Sequence, residues 1–167
     1  MTQSPYEREL EAEVSLIVND QSVSGRVPIR QSLADFLRGE LGYTGVHVGC
    51  EQGVCGACTV VMNGAIARSC LVLAIQADGA VVETIEGATS TGRAKNLQDS
   101  FFDRGAVQCG FCTAGMILTA ADLLVRDPKP SREAIRTHLA GNYCRCTGYE
   151  AIIDAIECAA KKLASTA

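Results

Sequence analysis

The spacing of apolar residues changes character along this chain: short β-type runs in the first half give way to helical periodicity in the second. Val14-Ser15-Leu16-Ile17-Val18 is apolar enough to predict a buried strand, and Val23 to Ile29 pairs with it across Asn19-Asp20. Thr59 to Met62 and Ala65 to Ala67 flank Asn63-Gly64, a pair that favours positive φ at both turn positions and so predicts a tight hairpin. Val81 to Thr84 adds one more short strand. A single helix interrupts these, capped by Ser32 and apolar at Leu33, Phe36 and Leu37. The expectation is a small mixed sheet crossed by one helix.

Residues 86–95, EGATSTGRAK, are small and polar and read as a linker. Beyond them Leu97 and Phe101 mark one helix. Met116, Leu118, Ala121 and Leu124 mark a second that stops before Asp127-Pro128. Ser131 caps a third, with Ile135 and Leu139 inward. Ile152, Ile153, Ile156, Ala160 and Leu163 line a fourth. The fold class is therefore α+β, with a sheet-rich domain over residues 12–86 and a four-helix domain over 94–164.

A formal charge of −4 and a pI near 5.2 offer no basic surface for nucleic acid or an anionic membrane. No apolar run approaches the roughly 18 residues that span a bilayer. The start, MTQSPYERELEAE, is acidic and lacks the apolar stretch of a secretory signal. The expected compartment is the cytoplasm, where the 9 cysteines stay reduced and available for metal.

Eight of those cysteines form two quartets. Cys50-x4-Cys55-x2-Cys58, closed by Cys70, follows the plant-type order that wraps a [2Fe–2S] cluster. Structural zinc sites favour two close pairs instead. Glycines at 49, 53 and 56 also let backbone N–H groups approach bridging sulfides. The second quartet is Cys109-x2-Cys112 with Cys144-x-Cys146, and by spacing alone it suits either iron–sulfur or zinc. The quartets differ in spacing, so they are not a duplicated unit.

The segments CEQGVCGACTV, QCGFCTAGM and GNYCRCTGY resemble the small iron–sulfur subunit of the molybdenum hydroxylases, the xanthine-oxidase and aldehyde-oxidase family. The resemblance runs from about residue 12 to residue 163. It implies a plant-ferredoxin-like β-grasp domain with one [2Fe–2S] cluster on Cys50, Cys55, Cys58 and Cys70. A helical domain would then carry another on Cys109, Cys112, Cys144 and Cys146. Cys70 follows Cys58 after eleven residues, a shorter interval than in free plant ferredoxins but as expected for this family. The resemblance further implies a large partner subunit holding molybdopterin, as the cytosine dinucleotide, and a medium partner holding FAD, together a dimer of heterotrimers. This chain would pass electrons between them without catalysing a reaction itself. Gln108 matches a position that hydrogen-bonds the pterin, and Cys146 matches a cluster ligand lying against it. The motif wording points to oxidation of an aromatic N-heterocycle. The alternatives are a carbon monoxide or aldehyde dehydrogenase of the same family, a free two-cluster carrier, or a zinc-stapled interaction module.

Other residues carry plainer readings. His47, His138 and Cys158 are expected to be structural, with Cys158 off the apolar face of the last helix. Arg145, between two cysteines, fits cluster charge and a surface contact equally well. Gly39, Gly42 and Gly45 resemble turn residues and form no phosphate-binding loop.

Overall fold

The computed structural model describes residues 10–166; most of the N-terminal stretch read as lacking a secretory signal lies outside them. β1 (Glu11–Val18) and β2 (Gln21–Pro28) pair antiparallel around Asn19-Asp20, both in left-handed conformation. β3 (Thr59–Met62) and β4 (Ala65–Arg68) make the second hairpin around Asn63 (φ 49°) and Gly64 (φ 81°), the two positive angles that the Asn-Gly pair predicts. β5 (Val81–Glu83) lies parallel to β1 and antiparallel to β3. The sheet order β2-β1-β5-β3-β4 is that of a β-grasp.

The helix across this sheet begins as expected: the Ser32 hydroxyl accepts from the Asp35 amide at 3.0 Å. Its α-helical part, α1 (Leu33–Asp35), is short and widens into a π-helical turn over Phe36–Glu40. Leu33, Phe36 and Leu37 pack against Val14, Leu16, Val18, Val27, Val60 and Val82. Full burial of one such side chain contributes about 1.5–3 kcal/mol. β1 is not buried on both faces, as its run of apolar residues suggested. Val14, Leu16 and Val18 are covered, while Ile17 is 41% exposed. Successive strand residues point to opposite faces, and the helix covers only one.

A second core forms from α2 (Ile85–Ser90), α3 (Lys95–Asp103), α4 (Thr113–Arg126), α5 (Arg132–His138) and α6 (Glu150–Thr166). The segment read as a linker is folded: it forms most of α2 and buries Ala88 and Ala94 in this core. Small residues look like a boundary in sequence because they carry little apolar area, yet close packing also calls for small side chains. α4 is the central helix, buried from Gly115 through Ala121. Ile152, Ile153, Ile156 and Ala160 of α6 face inward as expected, but burial ends there, and Leu163 is 40% exposed. No helix among the described residues is long and apolar enough to cross a membrane.

Arg132 of α5 ties that helix to α6, reaching Glu150 at 2.7 Å, Asp154 at 2.5 Å and Glu157 at 3.1 Å, while Arg136 reaches Glu150 at 2.9 Å. Arg136 and then Arg132 hold the Glu150 carboxyl below its usual range; Lys161 and then Arg132 do the same for Glu157. Carboxyls depressed in the folded state stabilise it above their ordinary pKa, near 4.3, and that contribution is lost as pH falls through the folded values. Arg132→Gln is therefore expected to lower Tm modestly at pH 7 and low salt. Melting curves should show the gap to the unsubstituted chain narrowing with added salt and as pH falls below about 4.

Candidate metal centres

The first quartet sits where a long loop enters the β3–β4 hairpin. Cys58 immediately precedes β3 and Cys70 follows β4 by one residue, so the pairing of Thr59 with Arg68 brings the two ends together. Ser69 completes the closure, its amide and hydroxyl both donating to the Cys58 carbonyl, at 3.3 and 2.7 Å. Cys58 is buried, while Cys50, Cys55 and Cys70 are half-buried. The thiols associate in pairs, Cys50 with Cys55 and Cys58 with Cys70.

The second quartet is built by α4 and the loop before α6. Cys112 stands at the N-terminal cap of α4 and its carbonyl accepts from Met116, which anchors one side. Tyr149 anchors the other: its hydroxyl oxygen accepts from the Cys144 amide at 2.7 Å and donates to the Asn142 carbonyl at 3.3 Å. Here too the thiols pair, Cys109 with Cys146 and Cys112 with Cys144. Cys109 and Cys146 are exposed, and Cys112 and Cys144 are half-buried.

Among the described residues no three His, Cys, Asp or Glu side chains gather around one point as a single ion requires. Two pairs of thiols suit a different group. In a [2Fe–2S] cluster each of two irons takes two thiolates, and bridging sulfides separate the pairs. The donor set of each quartet fits that group.

The thiols within the quartets are not alike. The Gln52 amide, 3.4 Å from the Cys50 sulfur, is the main cause that lowers this thiol to about 6. Burial pushes Cys70 up to about 11, with the Cys58 thiol adding to it. In the second quartet burial pushes Cys112 up to about 12, followed by the effect of Cys144. Burial also acts to raise Cys144, but the Thr147 hydroxyl and amide outweigh it and bring the thiol down. The Phe111 amide lowers Cys109, and the neighbouring Cys109 thiol raises Cys146. Amides aimed at sulfur favour negative charge there, while the raised thiols must surrender protons when metal is loaded.

The quartets approach each other through their loops. The Tyr143 amide donates to the Cys55 carbonyl at 2.8 Å. His47 stacks on Phe111 with ring centroids 4.6 Å apart, and its Nδ1 lies 2.8 Å from the Phe111 carbonyl. His47 thus joins the two loops, a more particular role than general packing. At the centre, Gly56 (φ 71°) meets Gly115 of α4: a Cβ on Gly115 would lie 2.2 Å from the Gly56 carbonyl oxygen.

The remaining candidates fall outside this contact. Gln108 is exposed beside Cys109, and Arg145 is exposed between Cys144 and Cys146. His138 faces Asp122 at 3.0 Å. Cys158 lies off the buried face of α6, with Arg104 Nη2 3.7 Å from its sulfur. Sequence reading passed over Arg68, Thr119 and the role of Asn142. The available signal was small residues beside the cysteines, at Gly56, Gly115 and Gly141.

Fold and thiols together define a two-domain [2Fe–2S]-binding protein. Residues 16–88 match the family model for a 2Fe-2S iron-sulfur cluster binding domain, and residues 84–157 match that for a [2Fe-2S] binding domain. The chain is 46% identical over 155 residues to the nicotine 6-hydroxylase small subunit of Paenarthrobacter nicotinovorans, covering 93% of this chain and 92% of that one. It is 48% identical over 147 residues to caffeine dehydrogenase subunit gamma of Pseudomonas sp. strain CBB1, covering 86% and 88%. It superimposes on a chain of quinoline 2-oxidoreductase from Pseudomonas putida 86 with a TM-score of 0.87 at 48% identity, covering 93% and 97%. The chain belongs to the family of small iron–sulfur subunits of molybdenum hydroxylases, whose members are parts of oxidoreductase complexes.

Gly115→Ala is expected to destabilise the chain by about 1–3 kcal/mol, because the added methyl group must push the Gly56 loop away from α4. Gly39→Ala, where no atom lies within 4 Å of the added Cβ, should be nearly neutral in the same chemical-denaturation measurement.

Proposed function

We propose that this chain is the electron-transfer subunit of a molybdenum hydroxylase. It relays electrons from a molybdopterin site in a large partner subunit, through two [2Fe–2S] clusters, to FAD in a medium partner subunit. Cys50, Cys55, Cys58 and Cys70 hold one cluster in the domain of residues 12–86. Cys109, Cys112, Cys144 and Cys146 hold the other in the domain of residues 94–164. The observation that carries this reading is the match of residues 16–88 and 84–157 to two 2Fe-2S binding domains, each containing one of the cysteine quartets.

When bound, a [2Fe–2S] cluster supplies a one-electron redox couple. The chain's own residues tune and present it. The Gln52 and Thr147 amides, each 3.4 Å from a cysteine sulfur, favour the more negative reduced state. All four thiols of each quartet are taken up, which leaves no position for substrate at iron. Exposed Cys109 and Cys146 present the edge of the second quartet to the large partner, with Gln108 beside them to hydrogen-bond the pterin. The relatives' names, built on nicotine, caffeine and quinoline, support an aromatic N-heterocycle as substrate of the complex.

The test is purification of the native complex with its partners identified and its metals counted. Four irons and four labile sulfides per chain are expected, with two distinct EPR signals on reduction. Cys55→Ser and Cys112→Ser should each lose one cluster and most of the stability of its domain. Zinc at either quartet, or two irons in total, would overturn the assignment. A chain that purifies alone with both clusters intact would point to a free carrier.

Gln108→Ala gives a narrower check. It removes a hydrogen bond worth about 0.5–1.5 kcal/mol. Both clusters should remain, while their reduction by substrate slows or molybdenum is lost, as read by stopped-flow bleaching and metal analysis. Unchanged rates at full molybdenum content would make Gln108 an ordinary loop amide.

A further inference from the structure

One buried side chain bridges the loops of both quartets. Asn142 is 2% exposed and stands two residues before Cys144. Its Nδ2 donates at 3.1 Å to the carbonyl of Gly56, which lies between Cys55 and Cys58. Its Oδ1 accepts at 3.4 Å from Arg68 Nη2 and, with the Gly115 carbonyl, shares the single proton of the Thr119 hydroxyl of α4, which lies 3.0 Å from Oδ1 and 2.8 Å from that carbonyl. Arg68, at the end of β4, also donates to the Gly141 carbonyl at 2.8 Å and to Thr59 Oγ1 at 2.6 Å. The Thr59 hydroxyl donates in turn to the Gly56 carbonyl at 2.6 Å. That carbonyl also accepts from the Thr59 amide at 3.2 Å, so it is held from both halves of the molecule.

We propose that Asn142 is a positioning residue for electron transfer between the two clusters. It holds the Cys55–Cys58 loop at a fixed spacing from Cys144 and, through Thr119, from the α4 helix that Cys112 caps. The proposal rests on reading the quartets as [2Fe–2S] sites. Transfer between two redox centres falls steeply with separation, so a loop free to shift by a fraction of an ångström gives a spread of rates. A fully satisfied buried network has one low-energy geometry, and a half-satisfied one is costly, so this network selects a single spacing. The glycines allow the spacing to be short: a Cβ on Gly56 would stand 2.6 Å from Asn142 Nδ2 and 2.4 Å from the Gly141 carbonyl oxygen. Asparagine is the residue type the site needs, because it donates to one loop and accepts from the other half with a single amide.

The test uses the full chain in its native complex with three variants: Asn142→Asp, Thr119→Val and Thr119→Ser. Aspartate keeps the acceptor toward Thr119 and Arg68 but sets an oxygen without a proton against the Gly56 carbonyl. Iron per chain, Tm, the magnetic interaction between the two reduced clusters by EPR, and intramolecular electron transfer by rapid-freeze sampling are measured together. Asn142→Asp should keep four irons yet change the magnetic splitting and slow transfer relative to the unsubstituted chain. Thr119→Val should shift both readouts in the same direction by less, and Thr119→Ser, which retains the hydroxyl, should match the unsubstituted chain. If Asn142→Asp loses iron, the two Thr119 variants decide on the same readouts. Unaltered splitting and transfer in Thr119→Val and in any iron-replete Asn142→Asp would overturn the proposal. An unsubstituted chain without two clusters would overturn the reading beneath it instead.

Discussion

Where Gly56 meets Gly115, two backbones come closer than any side chain would permit, and the hydrogen bonds of Asn142 hold them there. The β-grasp half and the helical half each have their own core. Those cores also touch, Val61 of β3 packing against the helical one, but apolar contact alone leaves the two thiol quartets some freedom to slide. The contact removes that freedom with buried hydrogen bonds, whose geometry is narrow, in addition to apolar packing, which tolerates sliding. It is also local to the chemistry: Gly56 separates Cys55 from Cys58, and Asn142 and Gly115 lie a few residues from Cys144 and Cys112.

Around that contact the two quartets are built by different means. In the first, a hairpin with a two-residue turn brings Cys58 and Cys70 together, and Ser69 closes the gap. In the second, a helix start and a tyrosine-anchored loop bring together residues more than thirty positions apart in sequence. Both constructions end in paired thiols. The surroundings differ, since Cys58 is buried while Cys109 and Cys146 are exposed. Different exposure and different N–H donors are the physical basis for two unlike redox sites in one small chain.

Much of this is visible in the order of residues. Ser32 caps a helix, Asn63-Gly64 forces a hairpin, and Ser131 caps α5, because in each case the controlling interaction lies within a few residues. The cysteine spacings are local in the same sense, and they already separate eight thiols into two sets of four. The sequence reading failed where an outcome depended on what lies opposite. β1 is covered on one face only, residues 86–95 fold as most of α2 and an exposed turn that buries Ala94, and Leu163 lies beyond the end of the core. None of these follows from the residues' own apolarity.

The sequence by itself determined the α+β class, the cap and turn positions and the two groups of thiols, since each rests on short-range geometry or on side-chain chemistry. Only the tertiary structure decided that the thiols sort into pairs, that His47 leans on Phe111, and that Asn142, a loop residue with no role in its own segment's pattern, joins two distant loops. The reason is physical. Pairing and bridging depend on distances between segments separated by up to 86 positions, and those distances are set by how two cores pack against each other.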